Sequence, residues 1–204
     1  TWFSESALRP LRFRSGIYGL PETQDFLMLY YRTDICAELG IDPETDLETW
    51  DDIKSILPIL QSHSMNFGMP VPVVGAVGGA LNLYATLLYQ MGGELYVPDP
   101  DHEYDGIKTT LNQDAALDAF KLWTDFYTVY GVPNAYDFSN WFRSGEMPIG
   151  IAGYSQYNQL SVFAPELEGF WSFAPVPGMV NDEGVVDHTV AGTVVACVMM
   201  STAT

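Results

Sequence analysis

The stretch GIYGLPETQDFLMLYYRTD, residues 16–34, governs the reading of this chain. A Gly19-Leu20-Pro21 turn leads to the polar tetrad Glu22-Thr23-Gln24-Asp25. Phe26, Leu27, Met28, Leu29, Tyr30 and Tyr31 follow at once. That apolar and aromatic run predicts a buried strand over 26–31, and Ile17 to Gly19 gives a second strand signal across the turn. The tetrad is then expected as a polar loop at the mouth of a buried strand, where a ligand cleft would need hydrogen-bonding groups on a rigid support.

Further along, Asp34 to Leu39 predicts a short helix stopped by Gly40. Thr49 is a good N-cap for the helix that follows, with Asp51 and Asp52 in its first turn, and Pro58 is expected to kink or end it. Residues 67–74 read as a strand broken by prolines, and Leu81 to Met91 as an apolar helix closed by Gly92-Gly93. Asp105-Gly106 marks a turn. Asn112 is expected to cap an amphipathic helix with Leu117, Phe120, Trp123 or Thr124, and Tyr127 at helical spacing, ended by Gly131. DFSNWFRSGE reads as a short capped helix, MPIGIAG as a strand and Ser155 to Phe163 as a helix opening straight after it. Phe170 to Ala174 and Thr189 to Val198 complete the strands. Strands alternating with helices imply an α/β fold, an open mixed sheet flanked by helices.

The totals exclude several functions. With 26 acidic against 8 basic residues, the net charge of −18 repels phosphate backbones and anionic lipid, so no nucleic-acid partner is expected. The aromatic share of 14% suits either a large core or a surface that grips ligands. Cys36 and Cys197 both sit in apolar surroundings and read as two buried free thiols, with a disulfide as the alternative. No apolar run is long enough for a membrane span, and the first residues show no positively charged start with an apolar signal core, which decides nothing about export in a chain with cut ends. Thr1-Trp2-Phe3 and Ser201-Thr202-Ala203-Thr204 read as cut ends, so a piece of a longer chain is expected.

Chemical motifs are weak. Gly75-Ala76-Val77-Gly78-Gly79 lacks the Lys-Ser/Thr of a phosphate loop. Asp101 to Gly106 opens like a calcium loop, but its third position is Glu and its twelfth is Asn112. Gly153-Tyr154-Ser155-Gln156-Tyr157 sits where a serine elbow would lie, yet Tyr157 replaces the second glycine. His63, His102 and His188 are isolated, which gives no metal spacing. Glu22 with Asp25 or Glu94 could form a glycosidase pair, but acids are too common here for the pairing to carry weight. No catalytic residue, metal site or cofactor is assigned. What remains is a group of strand-end loops, 22–25, 77–82, 153–157 and 185–193, whose Tyr, Gln, Asn, Asp and Glu suit a neutral polar ligand such as a sugar.

The ordered series YGLPETQDFLMLYYRTDICAELGI, ETWDDI, YQMGGELY, DGIKTTLNQDAALDAFKLWTDFY, FRSGEMPIGIAGYSQ and FAPVPG resembles the extracellular solute-binding proteins of ABC sugar importers, the group that includes maltose-binding protein. The likeness runs from about Gly16 to Val198. It implies a periplasmic-binding-protein-like lobe, with about 34–187 as the second lobe and 1–33 and 188–204 as crossover and first-lobe segments. It also implies a monomer that is exported, periplasmic or lipid-anchored at the cell surface. Such a protein hands a carbohydrate, an oligosaccharide by preference, to ABC permease membrane subunits without changing it. A polyamine-type ligand and a carbohydrate hydrolase are the alternatives.

By the resemblance, Asp25 stands where maltose-type members carry a ligand-contacting Glu, beside Glu22, Thr23 and Gln24. Ala80 and Asn82 stand where those members have an acid and a stacking Tyr. Gly153-Tyr154-Ser155-Gln156 replaces Gly-Pro-Trp, with Tyr154 or Tyr157 as the aromatic platform. Ala191-Gly192-Thr193 replaces Gly-Gly-Trp. These departures from the maltose pattern point to a ligand other than maltose.

Overall fold

The computed structural model describes residues 2–13, 16–70, 77–98 and 107–198. Short helix α1 (Glu5–Leu8) and the small strands β1 (Arg12–Phe13) and β2 (Gly16–Ile17) lead to β3 (Leu20–Arg32). Helices α2 (Thr33–Leu39) and α3 (Trp50–Ser62), β4 (Phe67–Gly68), α4 (Val77–Gln90), the pair β5 (Tyr96–Pro98) and β6 (Ile107–Thr109), and α5 (Asp114–Thr128) follow. Then come α6 (Phe138–Ser144), β7 (Ile149–Gly153), α7 (Gln156–Phe163), β8 (Trp171–Ala174), β9 (Met179–Val180), β10 (Val186–Asp187) and β11 (Gly192–Cys197).

β3 organises the main sheet. One of its edges pairs with β7, which in turn pairs in parallel with β4; the other edge pairs with β11 over its first half and β8 over its second. The sheet is therefore mixed, as expected. Leu27 and Leu29 face a core formed with Trp50, Ile53, Leu60, Leu83, Leu87 and Phe126. Tyr30 and Met28 face a smaller cluster of Phe142, Leu160, Ala164 and Leu167. Helices on both faces explain why 26–31 is a continuous apolar run instead of an alternating one.

The tetrad is not a loop. Glu22 to Asp25 lie inside β3, because Thr23, Gln24 and Asp25 pair with Val195, Val194 and Thr193 of β11. The register slips beside Glu22, where Ala196 moves to Pro21. A partner strand far along the chain overrides local polarity here, which no local pattern reports.

Other expectations shift for similar reasons. α3 runs through Pro58 to Ser62, since its buried residues Trp50, Ile53, Ile56, Leu57 and Leu60 lie on both sides of the exposed proline. The Thr49 cap is as expected, and the Asp52 carboxylate closes a capping box onto the Thr49 amide at 2.8 Å. α4 begins at Val77, so 77–82 is helix and not loop. The strand predicted over 67–74 is confined to Phe67–Gly68 among the described residues. β11 begins only at Gly192.

α5 is preceded by Gln113 instead of Asn112, and it buries Ala116, Ala119 and Phe126. Leu117 and Phe120 stay half exposed, at 52% and 50%, because the small alanines let α4 approach closely. Cys36 is buried and free, whereas Cys197 is free and exposed at the end of β11. Alternation along an edge strand turns that thiol outward, 3.6 Å from the Glu22 carboxylate. The Asp105-Gly106 turn, the Asp101 loop with His102, and Gly75-Ala76 lie outside the described residues.

Candidate functional site

The parallel strands β4 and β7 end at Gly68 and Gly153, and a cleft of about 490 Å³ opens beyond them. Open α/β sheets bind ligands at this end of their strands. Asp25 and Phe26 of β3, Asn82 of α4, Thr193 of β11, and Ser155 and Gln156 at the head of α7 line it. Pro70, Tyr136 and Phe138 form the opposite wall.

Among the described residues Asp25 is the one carboxylate in this lining. It accepts from the Phe26 amide at 3.1 Å, the Ser155 amide at 3.1 Å and the Ser155 hydroxyl at 2.9 Å. The carboxylate thus ties β3 to the turn between β7 and α7. Gly153 makes this contact feasible, since a Cβ there would lie 2.6 Å from Asp25 Oδ2. Gly150 does the same for the far wall: a Cβ would stand 2.7 Å from Phe138 Cε2 and 2.9 Å from the Gly68 Cα. The Gln156 amide donates to the Ser139 hydroxyl at 2.7 Å. The Tyr136 hydroxyl donates to the Met69 carbonyl, and burial holds it protonated by pushing its pKa above the ordinary tyrosine range. The Asn82 side chain makes no hydrogen bond to the described residues.

Tyr154 and Tyr157 turn to the other side of the same junction. Tyr154 stacks on Phe26, with centroids 5.2 Å apart and planes 8° from parallel. Tyr157 continues the stack at 6.3 Å and 13°. Tyr30 fixes the peptide that carries them: its hydroxyl donates to the carbonyls of Gly153 and Tyr154 at 3.1 and 3.2 Å, and burial raises its pKa well above the usual value. Phe26 therefore belongs both to the cleft and to the aromatic stack.

The structure brings Asp25, Asn82 and Ser155 together around the cleft and sets Tyr154 and Tyr157 on an adjoining wall. Glu22, Thr23 and Gln24 are exposed on β3 and do not line the cleft. Sequence reasoning missed Phe26, Tyr136 and Phe138, and it set Gln156 and Thr193 in candidate loops without giving either a role. A usable signal was the Asp137 cap, which puts Tyr136 and Phe138 at the mouth of α6. The glycines 150 and 153, spaced along a strand, were another. Among the described residues no group of His, Cys, Asp and Glu could hold a metal ion.

The sequence matches the pattern of the bacterial extracellular solute-binding proteins over residues 2–197. The chain belongs to that family. Comparison with curated proteins finds no match. Among solved structures, this solute-binding protein is similar to an ABC transporter solute-binding protein of Thermotoga lettingae TMO bound with alpha-D-tagatose. The TM-score is 0.72 at 21% identity, over 95% of this chain and 49% of that one. Maltose-bound MalE3 of T. maritima gives 0.72 at 21% identity, over 96% and 49%. The galacto-N-biose/lacto-N-biose I-binding protein of Bifidobacterium longum, in complex with lacto-N-biose, gives 0.74 at 15% identity, over 98% and 48%. These likenesses establish the periplasmic-binding-protein-like fold. The chain spans about half the length of the structures it matches. None of this solute-binding protein's described helices is long and apolar enough to cross a membrane.

Proposed function

We propose that the protein binds a neutral carbohydrate in the cleft and delivers it unchanged, as a monomer, to the membrane subunits of an ABC importer. The observation that carries this reading is the charge state of the cleft. Among the described residues its single carboxylate already accepts three hydrogen bonds from the chain, and the other polar lining groups are amides and hydroxyls set among aromatic rings. Such a surface suits hydroxyls above and apolar ring faces below. It does not suit a polyamine, which needs unpaired carboxylates. A glycosidase needs a second carboxyl group across the bond to be cut, and Glu22 and Glu94 both lie outside the cleft lining. The ligands of the sugar-bound neighbours support the same class.

We further propose that β3 and β11 are crossover strands of a two-lobe protein, with 34–187 as the second lobe. β3 has 13 residues, about 43 Å at 3.3 Å per residue, where an ordinary strand has 5–6. Among the described residues its first half pairs only with β11. The extracellular family supports a location outside the cytoplasm, which we propose to be periplasmic or lipid-anchored.

A thermal-shift screen of the complete polypeptide against mono- and oligosaccharides, polyamines and amino acids tests the function. A ligand at a hundred times its Kd adds about 2.7 kcal/mol, so the melting temperature rises with one sugar class. A rise with a polyamine and none with any sugar overturns the proposal.

A further inference from the structure

We infer that Thr86 and Gln90 of α4 are positioning residues for the cleft: they anchor the chain that enters β11 and so hold Thr193 in the lining. The inference rests on the carbohydrate reading above and deepens it, by naming what keeps that part of the site in place.

The first observation is a polar stripe on an apolar helix. Apart from two tyrosines, the polar side chains of α4 are Asn82, Thr86 and Gln90. Their four-residue spacing sets them on one face. Tyr84 lies on the other, where its hydroxyl donates to the Ala116 carbonyl of α5 at 3.2 Å. Asn82 stands in the cleft lining, and the stripe then runs into the core: Thr86 is fully buried and Gln90 is 6% exposed. A polar side chain buried in an apolar helix is unfavourable unless it is bonded, so the partners of these two residues decide their role.

The second observation is where those bonds go. The Thr86 hydroxyl accepts from the Ala191 amide at 3.0 Å. The Gln90 amide nitrogen donates to the carbonyls of Thr189 and Pro177, both at 3.1 Å, and its oxygen accepts from the Trp50 indole at 2.7 Å. An indole N–H can only donate, which fixes the orientation of the amide and leaves neither of its N–H groups free. α4 therefore grips residues 189–191 at two points, one helical turn apart. Residues 188–191 belong to no strand, so these side-chain bonds, and not a ladder, direct the chain into β11. Gly192 then pairs with Phe26 and Thr193 with Asp25, and Thr193 and Asp25 both line the cleft. A buried network with every partner satisfied holds one arrangement. One helix thus supplies Asn82 to the cleft directly and sets the place of Thr193 through its buried turns.

The test is calorimetric titration of the complete protein with glucose, galactose, maltose, cellobiose and lactose, at a temperature where every variant is folded. Thr86→Val keeps the shape and removes the acceptor, and it should weaken binding of the sugar that the native protein takes by roughly tenfold. Thr86→Ser should restore binding to within about twofold of native. In a Thr193→Ala background Thr86→Val should cost less than about twofold, since it acts through that residue. Thr86→Ala takes its place if the valine chain does not fold. Ile53→Val, a core change outside the cleft lining, should lower the melting temperature alone. A Thr86→Val chain that melts lower but binds like Ile53→Val overturns the inference, and so does a loss of binding that persists in full without the Thr193 side chain. Hydrogen exchange without ligand gives a second readout. Thr86→Val should speed it about tenfold over residues 192–197 and leave 27–31, which pair with β7, as in the native protein. Native exchange over 192–197 overturns the inference whatever the ligand. No binding of any sugar by the native protein is the failure of the carbohydrate reading, and exchange then decides the anchoring role by itself.

Discussion

Asp25→Ala should destabilise the chain even without ligand, because the structure gives this carboxylate a positioning role. Three hydrogen bonds are lost: to the Phe26 amide, the Ser155 amide and the Ser155 hydroxyl. A buried bond to a charged group contributes about 1.5–3 kcal/mol, but Asp25 is half-buried and Ser155 exposed, so water replaces part of each. A discount to about 0.5–1 kcal/mol per bond, summed with incomplete additivity, gives about 2 kcal/mol. The assay is urea unfolding followed by tryptophan fluorescence, with the loss read from the midpoint at constant slope. Ser155→Ala alone should cost about 0.5–1 kcal/mol and close to nothing in an Asp25→Ala background, since it removes one of the same bonds. Gln24→Ala, one residue away but exposed and without a side-chain bond, should stay within about 0.5 kcal/mol of native. If Asp25→Ala is as mild as Gln24→Ala, or the Asp25–Ser155 coupling is nil, the positioning argument is refuted.

Thiol labelling should find one fast cysteine: Cys197 is exposed, while burial pushes the Cys36 thiol up to about 12, so near neutral pH only Cys197→Ser should abolish rapid reaction with a disulfide reagent. The Arg32 guanidinium, bonded to Asp34 at 2.6 and 2.8 Å, holds that carboxyl below its usual 3.8. The unfolded chain therefore takes up the proton first, so the stabilisation is whole above 3.8 and is lost as pH falls through the lower folded value; urea midpoints should drop less on acidification in Asp34→Asn than in the native chain. Pro58→Ala should raise stability by about 1–2 kcal/mol, as the restored helix hydrogen bond outweighs the freedom regained by the unfolded chain, and an unchanged melting temperature would contradict this. Gly150→Ala should cost about 1–3 kcal/mol or prevent folding, since the new methyl meets backbone at Gly68 as well as the Phe138 ring; a Gly150→Ala chain that melts with the native one would show that this wall yields freely.

Elements whose signals lie in adjacent residues were legible in the sequence. Gly40 and Gly145 end α2 and α6 at φ of 70° and 86°, Thr49 and Asp137 cap α3 and α6, and β7 runs straight into the head of α7. What failed depended on distant partners. The polar first half of β3 is strand only because β11 lies beside it. The buried face of α5 is set by how closely α4 approaches, so the larger Leu117 and Phe120 lose to Ala116 and Ala119. The same holds for the site. Asp25 was legible, but its use was not, since the Ser155 groups that occupy it come from 130 residues away. Glu22, Thr23 and Gln24 were grouped with it by adjacency, but only Asp25, the residue of the four nearest the end of β7, lines the described cleft.

The acidic surplus takes on a different meaning once the carboxylates are placed. Asp46 accepts from the Asp42 amide, Asp42 from Glu44, Asp52 from Thr49, Asp137 from Asn140 and Asp187 from Thr189. Asp25 does the same for Phe26 and Ser155. Many of the acids thus close turns and helix ends, satisfying amides that the ladder geometry leaves unpaired. A net charge of −18 would by itself suggest attraction for cations. Yet among the described residues the cleft lining holds a single carboxylate, already bonded within the chain, so the acidic surplus of the surface is not concentrated there. The other polar side chains of the described lining, Asn82, Ser155, Gln156 and Thr193, are neutral and lie with the rings of Phe26, Tyr136 and Phe138, and the proposal of a neutral polyol ligand rests on that arrangement.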